Sequence, residues 1–177
     1  MVGVIKVASY IADRYLKDFG ERIGEMKLHK LLYFTQRESL IRKGEPMFAE
    51  EIRAWKYGPV VPCVRQAYKY DQLHVLPSDS ELEEYGHVLD FVMKEYAPSG
   101  VWTLVSVSHG QKSWKRARVG YGEQDSSDVL MKLEDMREDA EDAKMRRAEV
   151  ESLKLFYEWL EEKKSPLLDK LPHADFD

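Results

Sequence analysis

The bend at Lys56-Tyr57-Gly58-Pro59-Val60-Val61-Pro62 constrains this chain more than any other stretch. Pro59 drives Gly58 out of the α region, Gly58 is free to take a backbone angle that a Cβ opposes, and Pro62 suits the first turn of a following helix, where its missing N–H is no loss. A sharp, rigid corner is expected. Trp55 and Tyr57 place two large amphipathic rings beside it. Such rings usually pack, and on a stiff turn they can also bind.

A helix leads into this corner. Leu28, Leu31, Leu32, Thr35 and Ser39 fall at offsets of 3, 4, 7 and 11, the spacing of one helical face. Gly44 can take the positive φ of a helix C-terminus and Pro46 blocks continuation, so the helix should run from about 25 to 43. From Phe48 to Trp55 the pattern tightens toward alternation, with Ile52 and Ala54 on one side and Arg53 and Trp55 on the other. A short extended piece, or only a loop, fits this spacing.

The run KLHKLLYF, then GEPMF, then EEIRAWKYGPVVPCVRQAY resembles the signature of the Panacea, or SocA-like, antitoxin domain, also called phage-associated element protein. Leu28, Lys30, Leu31, Leu32, Tyr33, Trp55, Gly58, Pro59 and Pro62 carry the likeness. A second block, Leu104-Val105-Ser106 through His109 and Trp114 to Arg118, supports it, so the resemblance covers roughly residues 4–118. One departure is Ser113-Trp114, where the family usually has Pro-Trp. The resemblance implies a mostly helical antitoxin that binds and blocks a co-encoded protein toxin. In one branch of the family it implies an adaptor that delivers the toxin to a Clp-type protease.

Length and composition bound the rest. At 177 residues the chain fits one domain with an appendage. Five histidines and one cysteine suggest no metal cage, disulfide framework or redox pair, and no cofactor is expected. Cys63, following Pro62, is expected to be a small buried hydrophobe. The first segment, MVGVIKVASYIADRYL, carries Lys6, Asp13 and Arg14 within its apolar pattern, unlike a secretory signal or a membrane span. A cytoplasmic protein without a membrane partner is the simplest expectation.

Net charge is −5 but unevenly placed: residues 1–70 hold 13 Lys and Arg against 8 Asp and Glu, and residues 71–177 hold 14 against 24. This is either an ordinary mixed surface or an acidic segment that engages a basic partner.

Along the chain, Val4, Val7, Ala8, Ile11, Ala12, Tyr15 and Leu16 predict a first helix over about 3–17. A shorter helix is expected at 61–70. Ser78 or Ser80 should cap the segment ELEEYGHVLDFVMKEY, whose early glutamates suit a helix N-terminus. VWTLVSVSH, 101–109, is apolar enough to lie inside; its spacing fits helix or strand, and the family resemblance favours helix. In Lys112-Ser113-Trp114-Lys115-Arg116-Ala117-Arg118 four cations surround one indole. Either they touch phosphate, or Trp114 packs inward while the charges are solvated or pair with the acidic stretch that follows.

From Ser127 to Lys164 nothing stops a long charged helix. Residues 127–147 are expected to project and Val150 to Leu160, with Phe156 and Trp159, to dock back. The fold expected is therefore mainly α. A helical core at 1–122 carries at most a short extended or β segment near 48–56. A charged helical extension follows at 123–164, then a loosely attached tail at 165–177.

No active site emerges. His29, the Ser106, Ser108 and His109 group, and His87 with Asp90 each lack the further groups that catalysis or metal binding needs, so no catalytic or metal residue is named. Function then falls to surface. Trp55, Lys56, Tyr57, Trp114, Lys115 and Arg118 are the candidate partner-binding residues, held by the structural turn Gly58, Pro59 and Pro62. The readings in competition are an antitoxin that occludes a cognate toxin, a proteolytic adaptor, and a nucleic-acid-binding regulator. The last is the weakest for an acidic chain without a groove-reading element.

Overall fold

The computed structural model describes residues 1–168, with side chains through residue 163. Its elements run α1 (Val4–Phe19), α2 (Glu25–Lys43), β1 (Arg53–Trp55), β2 (Gly58–Val60), α3 (Pro62–Lys69), α4 (Asp79–Glu95), α5 (Val101–His109), α6 (Lys112–Ala117), β3 (Val129–Leu130) and α7 (Leu133–Leu168). The mainly α architecture matches expectation. Its β part among the described residues is one antiparallel sheet of order β2-β1-β3. The chain divides into two units, 1–141 and 142–177.

In the first unit α2 is buried on every side, each residue from Leu28 to Leu40 being inaccessible. It packs against α1, α3, α4, α5 and β2. Because its buried residues include polar ones, those side chains must find partners inside. Gln36 accepts from the backbone N–H of Met47 at 2.9 Å and donates to the carbonyl of Phe48 at 2.9 Å, tying down the loop after the helix. Ser39 donates to the Glu45 carbonyl, and Arg37 donates to Gln111 and to the Tyr96 hydroxyl. Thus α2 fixes the loops around it as well as the core. Its end is as expected: Gly44 sits at φ 72° and its N–H reaches the Leu40 carbonyl at 3.1 Å.

The remaining helices follow from local chemistry. On α1, Val4, Val7, Ala8, Ile11 and Tyr15 form the buried stripe. Ser78 is the cap of α4, in a reciprocal box with Glu81, and Tyr85, Val88, Leu89, Val92 and Met93 face inward. The 101–109 segment is helical, but only Leu104, Val105 and Ser108 are buried, so the expectation that the whole segment lies inside is corrected. Trp102, on the other side of α5, is 62% exposed. Cys63 is corrected too: with Pro62 opening α3 and Val64 and Ala67 turned inward, helical rotation leaves the thiol exposed.

The long helix expected from Ser127 starts later. Val129 and Leu130 pair with β1 in the register Arg53↔Leu130 and Ala54↔Val129, and α7 begins at Leu133. Met131, Met136 and Ala140 belong to the hydrophobic core, so residues up to 140 are part of the first unit and do not project.

In the second unit α7 continues through Leu168, which takes in the start of the expected tail; residues 169–177 lie outside the described residues. Here Phe156 meets the Tyr157 ring edge-on and stacks with Trp159 at 6.2 Å. Among the described residues no helix is long and apolar enough to cross a membrane.

Candidate functional site

The corner is a two-strand hairpin whose turn is Lys56-Tyr57, with Ala54↔Pro59 and Trp55↔Gly58 in register. Gly58 has φ +97°, in the region where a Cβ is strained. A Cβ there would also lie 2.7 Å from both Lys30 Cε and Ser108 Oγ. Glycine is therefore required twice, by angle and by clearance.

That clearance seats two consecutive side chains of α2 against β2. Lys30 Nζ donates to the Pro59 carbonyl at 3.0 Å, and the Val61 N–H donates to His29 Nδ1 at 3.3 Å. On its other side β2 pairs with β1. Lys30 is 1% exposed and His29 2% exposed. Burial pushes the Lys30 ammonium down to about 7. Burial first, then the charges of Lys30 and Arg65, push His29 down to about 3.

These residues floor an open cleft of about 820 Å³, walled by the first turn of α2, the hairpin, α3 and residues 121–128. Trp55 spans the wall. Its indole N–H donates to Asp128 at 2.8 Å, and the Arg65 guanidinium lies 5.0 Å from its ring centroid while also pairing with Glu25 at 3.0 Å. Lys56 Nζ sits 5.1 Å from the Tyr57 ring. Tyr57, 46% exposed, meets Trp102 edge-on at 6.1 Å. The hairpin tip and α5 thus share one aromatic surface that the sequence reading missed. Trp102 signals it only after 101–109 is known to be helical, because the residue then turns away from the buried Leu104.

The basic run folds as its ordinary reading predicts. Trp114 donates from its indole to the Trp55 carbonyl at 3.1 Å and stacks on His109 at 3.9 Å. Burial pushes the His109 imidazole below its usual value. Arg116 pairs with Asp135 and Glu138, whose hydrogen bonds raise its already high pKa further. Lys112 lies 3.8 Å from Glu138. Arg118 is 5% exposed and donates to Ser127 and to the Gly122 and Asp125 carbonyls, so it braces the cleft wall from behind. Of the six sequence-named residues, Trp55, Lys56 and Tyr57 meet at the hairpin, Lys115 is exposed on α6, and Trp114 and Arg118 lie behind.

One buried acid organises this rear layer. Asp139 accepts from the backbone N–H groups of Lys112 and Ser113 at 2.7 and 3.2 Å and from the Tyr33 hydroxyl at 2.9 Å. It caps α6 and ties it to α2. Burial, followed by the Asp139 charge, raises the Tyr33 phenol above its usual value. Sequence reasoning missed Asp139 because its partners lie 26 to 106 positions away.

Elsewhere the groups weighed for chemistry do not assemble. Ser108 is fully buried and spends its hydroxyl on the Val105 carbonyl. Among the described residues no cluster of three or more His, Cys, Asp or Glu is placed to hold a metal.

Comparison with known proteins adds three findings. Residues 28–115 match the family model described as antitoxin SocA-like, Panacea domain. The chain is also similar to the protein named antitoxin SocA of Caulobacter vibrioides (strain NA1000 / CB15N), 29% identical over 103 residues. That match takes in 49% of this chain and 55% of the relative, so it spans about half of each. No solved structure gives a significant match.

Proposed function

We propose that this chain is an antitoxin that neutralises a co-encoded protein toxin by direct binding, a reading supported by the match of residues 28–115 to the SocA-like Panacea antitoxin family model. The observation that carries the reading is the hairpin tip, where Trp55, Lys56 and Tyr57 stand on a corner locked by Gly58 and by Lys30 beneath it. A preformed aromatic surface loses little freedom on binding, and exposed Tyr and Trp beside cations are the residue types that dominate protein interfaces. Tyr57 and Trp102 are its anchors, Lys56 and Lys115 its charged rim. The acidic balance of residues 71–177 favours a basic partner surface. Neutralisation is by occlusion, which needs no bond making.

Co-expression with each neighbouring gene product identifies the toxin as the one that kills alone and is silenced by this chain. With that complex purified, replacing Tyr57 and Trp102 together by alanine should weaken binding by about 2–4 kcal/mol, roughly 30- to 1000-fold, while thermal unfolding stays within a few degrees. Unchanged affinity would move the interface elsewhere. A toxin half-life that collapses in the presence of the chain, and recovers when a Clp-type protease is removed, would replace occlusion by delivery.

A further inference from the structure

The floor of the cleft holds hydrogen-bond donors that the protein itself does not use. The Val61 N–H occupies His29 Nδ1, and burial keeps the ring neutral, so the imidazole proton resides on Nε2. That N–H is covered and has no hydrogen-bond partner among the described residues; the Glu25 carboxylate, at 3.7 Å, is too far. Next to it in sequence, the Lys30 ammonium has three N–H donors and directs one to the Pro59 carbonyl. Among the described residues no carboxylate pairs with it. Buried donors without acceptors are rare in folded proteins.

Charge points the same way. With Lys30 protonated, as it is below about pH 7, Lys30, Lys56 and Arg65 line the cleft against Glu25 and Asp128, which leaves one positive charge uncompensated. Arg65 is already engaged by Glu25, and Asp128 by the Trp55 indole. The excess therefore resides on Lys30 and Lys56. A monoanion cancels it, whereas a dianion would overshoot beside two fixed carboxylates. Around the floor stand Met26, Val60, Tyr57 and Tyr121, apolar walls for the rest of a ligand. The volume falls within the range of small-molecule sites, roughly 300–1,000 Å³.

We propose that this cleft binds an organic monocarboxylate with an apolar body, its carboxylate entering by rotation of the side chains that cover the floor and accepting there from Lys30 Nζ and the His29 Nε2–H, and its body lying against Trp55 and Tyr57. The site is defined by its own donors and stands whether or not a toxin docks on the outer face of the same hairpin.

Calorimetric titration of the full-length protein with phenylacetate, phenylacetamide and phenyl phosphate tests it, with ¹⁵N spectra of the imidazole and indole N–H groups as a site readout. Phenylacetate should bind saturably and shift the His29 Nε2–H and Trp55 Nε1–H signals, and the neutral amide should bind at least about tenfold more weakly. Affinity for phenylacetate should fall about tenfold or more between pH 6 and pH 9, as Lys30 loses its proton. Lys30→Met should abolish binding and Lys56→Ala should weaken it about threefold. If Lys30→Met does not fold, the amide comparison and the pH series in the wild-type protein decide. No saturable binding of phenylacetate up to about 10 mM, a Kd corresponding to roughly −2.7 kcal/mol, overturns the assignment. So does equal binding of the amide, or binding of phenyl phosphate about tenfold tighter than that of phenylacetate. Acetyl-alanyl-phenylalanine, tested with a free and with an amidated C-terminus, separates a free acid from a chain end. Binding of the free-terminus peptide about tenfold tighter than phenylacetate would assign the cleft to a polypeptide terminus and sink the small-molecule reading.

Discussion

Gly58 and Lys30 occupy the same few ångströms, and each limits what the other can be. Gly58→Ala would force a Cβ into positive φ and against Lys30 and Ser108. We expect about 2–4 kcal/mol of lost stability in chemical denaturation, against less than about 1 kcal/mol for an alanine at an ordinary exposed loop glycine. Lys30 behaves in the opposite sense. Its folded value of about 7 lies below its ordinary 10.5, so between those limits the unfolded chain holds a proton that the folded chain lacks. Stability therefore rises with pH across that window, and below pH 7 the full penalty of a buried charge is present. Lys30→Met lacks this slope. It should stabilise the protein by about 1–3 kcal/mol near pH 6 and by much less near pH 9, as thermal unfolding at the two values would reveal. His29, held at about 3 against an ordinary 6.5, acts in the same direction lower down, with stability falling as pH drops from 6.5 toward 3. Two destabilising residues side by side in the best-packed helix are what a binding site, more than a scaffold, would retain.

Helices and strands differ in how much of themselves they announce. The end of α2 was legible because Gly44 and Pro46 act on their own neighbours, and the start of α4 because Ser78 and Glu81 satisfy each other three residues apart. The corner at Gly58 was legible for the same local reason. Strand β3 was not: Val129 and Leu130 become a strand only by meeting Ala54 and Arg53, about 75 positions earlier, and their local spacing reads as helix. Arg118 looked like part of an outward basic patch, since nothing nearby in sequence shows that the 122–127 loop folds over it. For the six-residue α6, whose length alone gives no stability, the decisive partner is Asp139. Asp139→Ala would strand two backbone donors and the Tyr33 hydroxyl in a dry layer, at a cost of about 2–4 kcal/mol. Tyr33→Phe should cost about 1 kcal/mol, and the double variant less than the sum, which a double-mutant cycle in urea would measure.

At the scale of the whole chain, the hydrophobic core closes at Ala140, while the two-unit division falls one residue later, after Glu141. A chain ended after Glu141 should therefore unfold cooperatively, with a midpoint within about 5 °C of the full-length protein, as followed by circular dichroism. Loss of the cooperative transition would show that the core depends on later residues. The sheet and the Tyr33–Asp139 bond close loops running from the first third of the chain to its last third, and such pairings form only after long segments are brought together. On a translating ribosome, the cleft wall stays unmade until synthesis has passed residue 128, and the Asp139 cap until it has passed residue 139. A transcript broken, or a ribosome stalled, before that codon would release helices already made but with the hairpin unsupported from behind, and so a product unable to do the work of the finished protein.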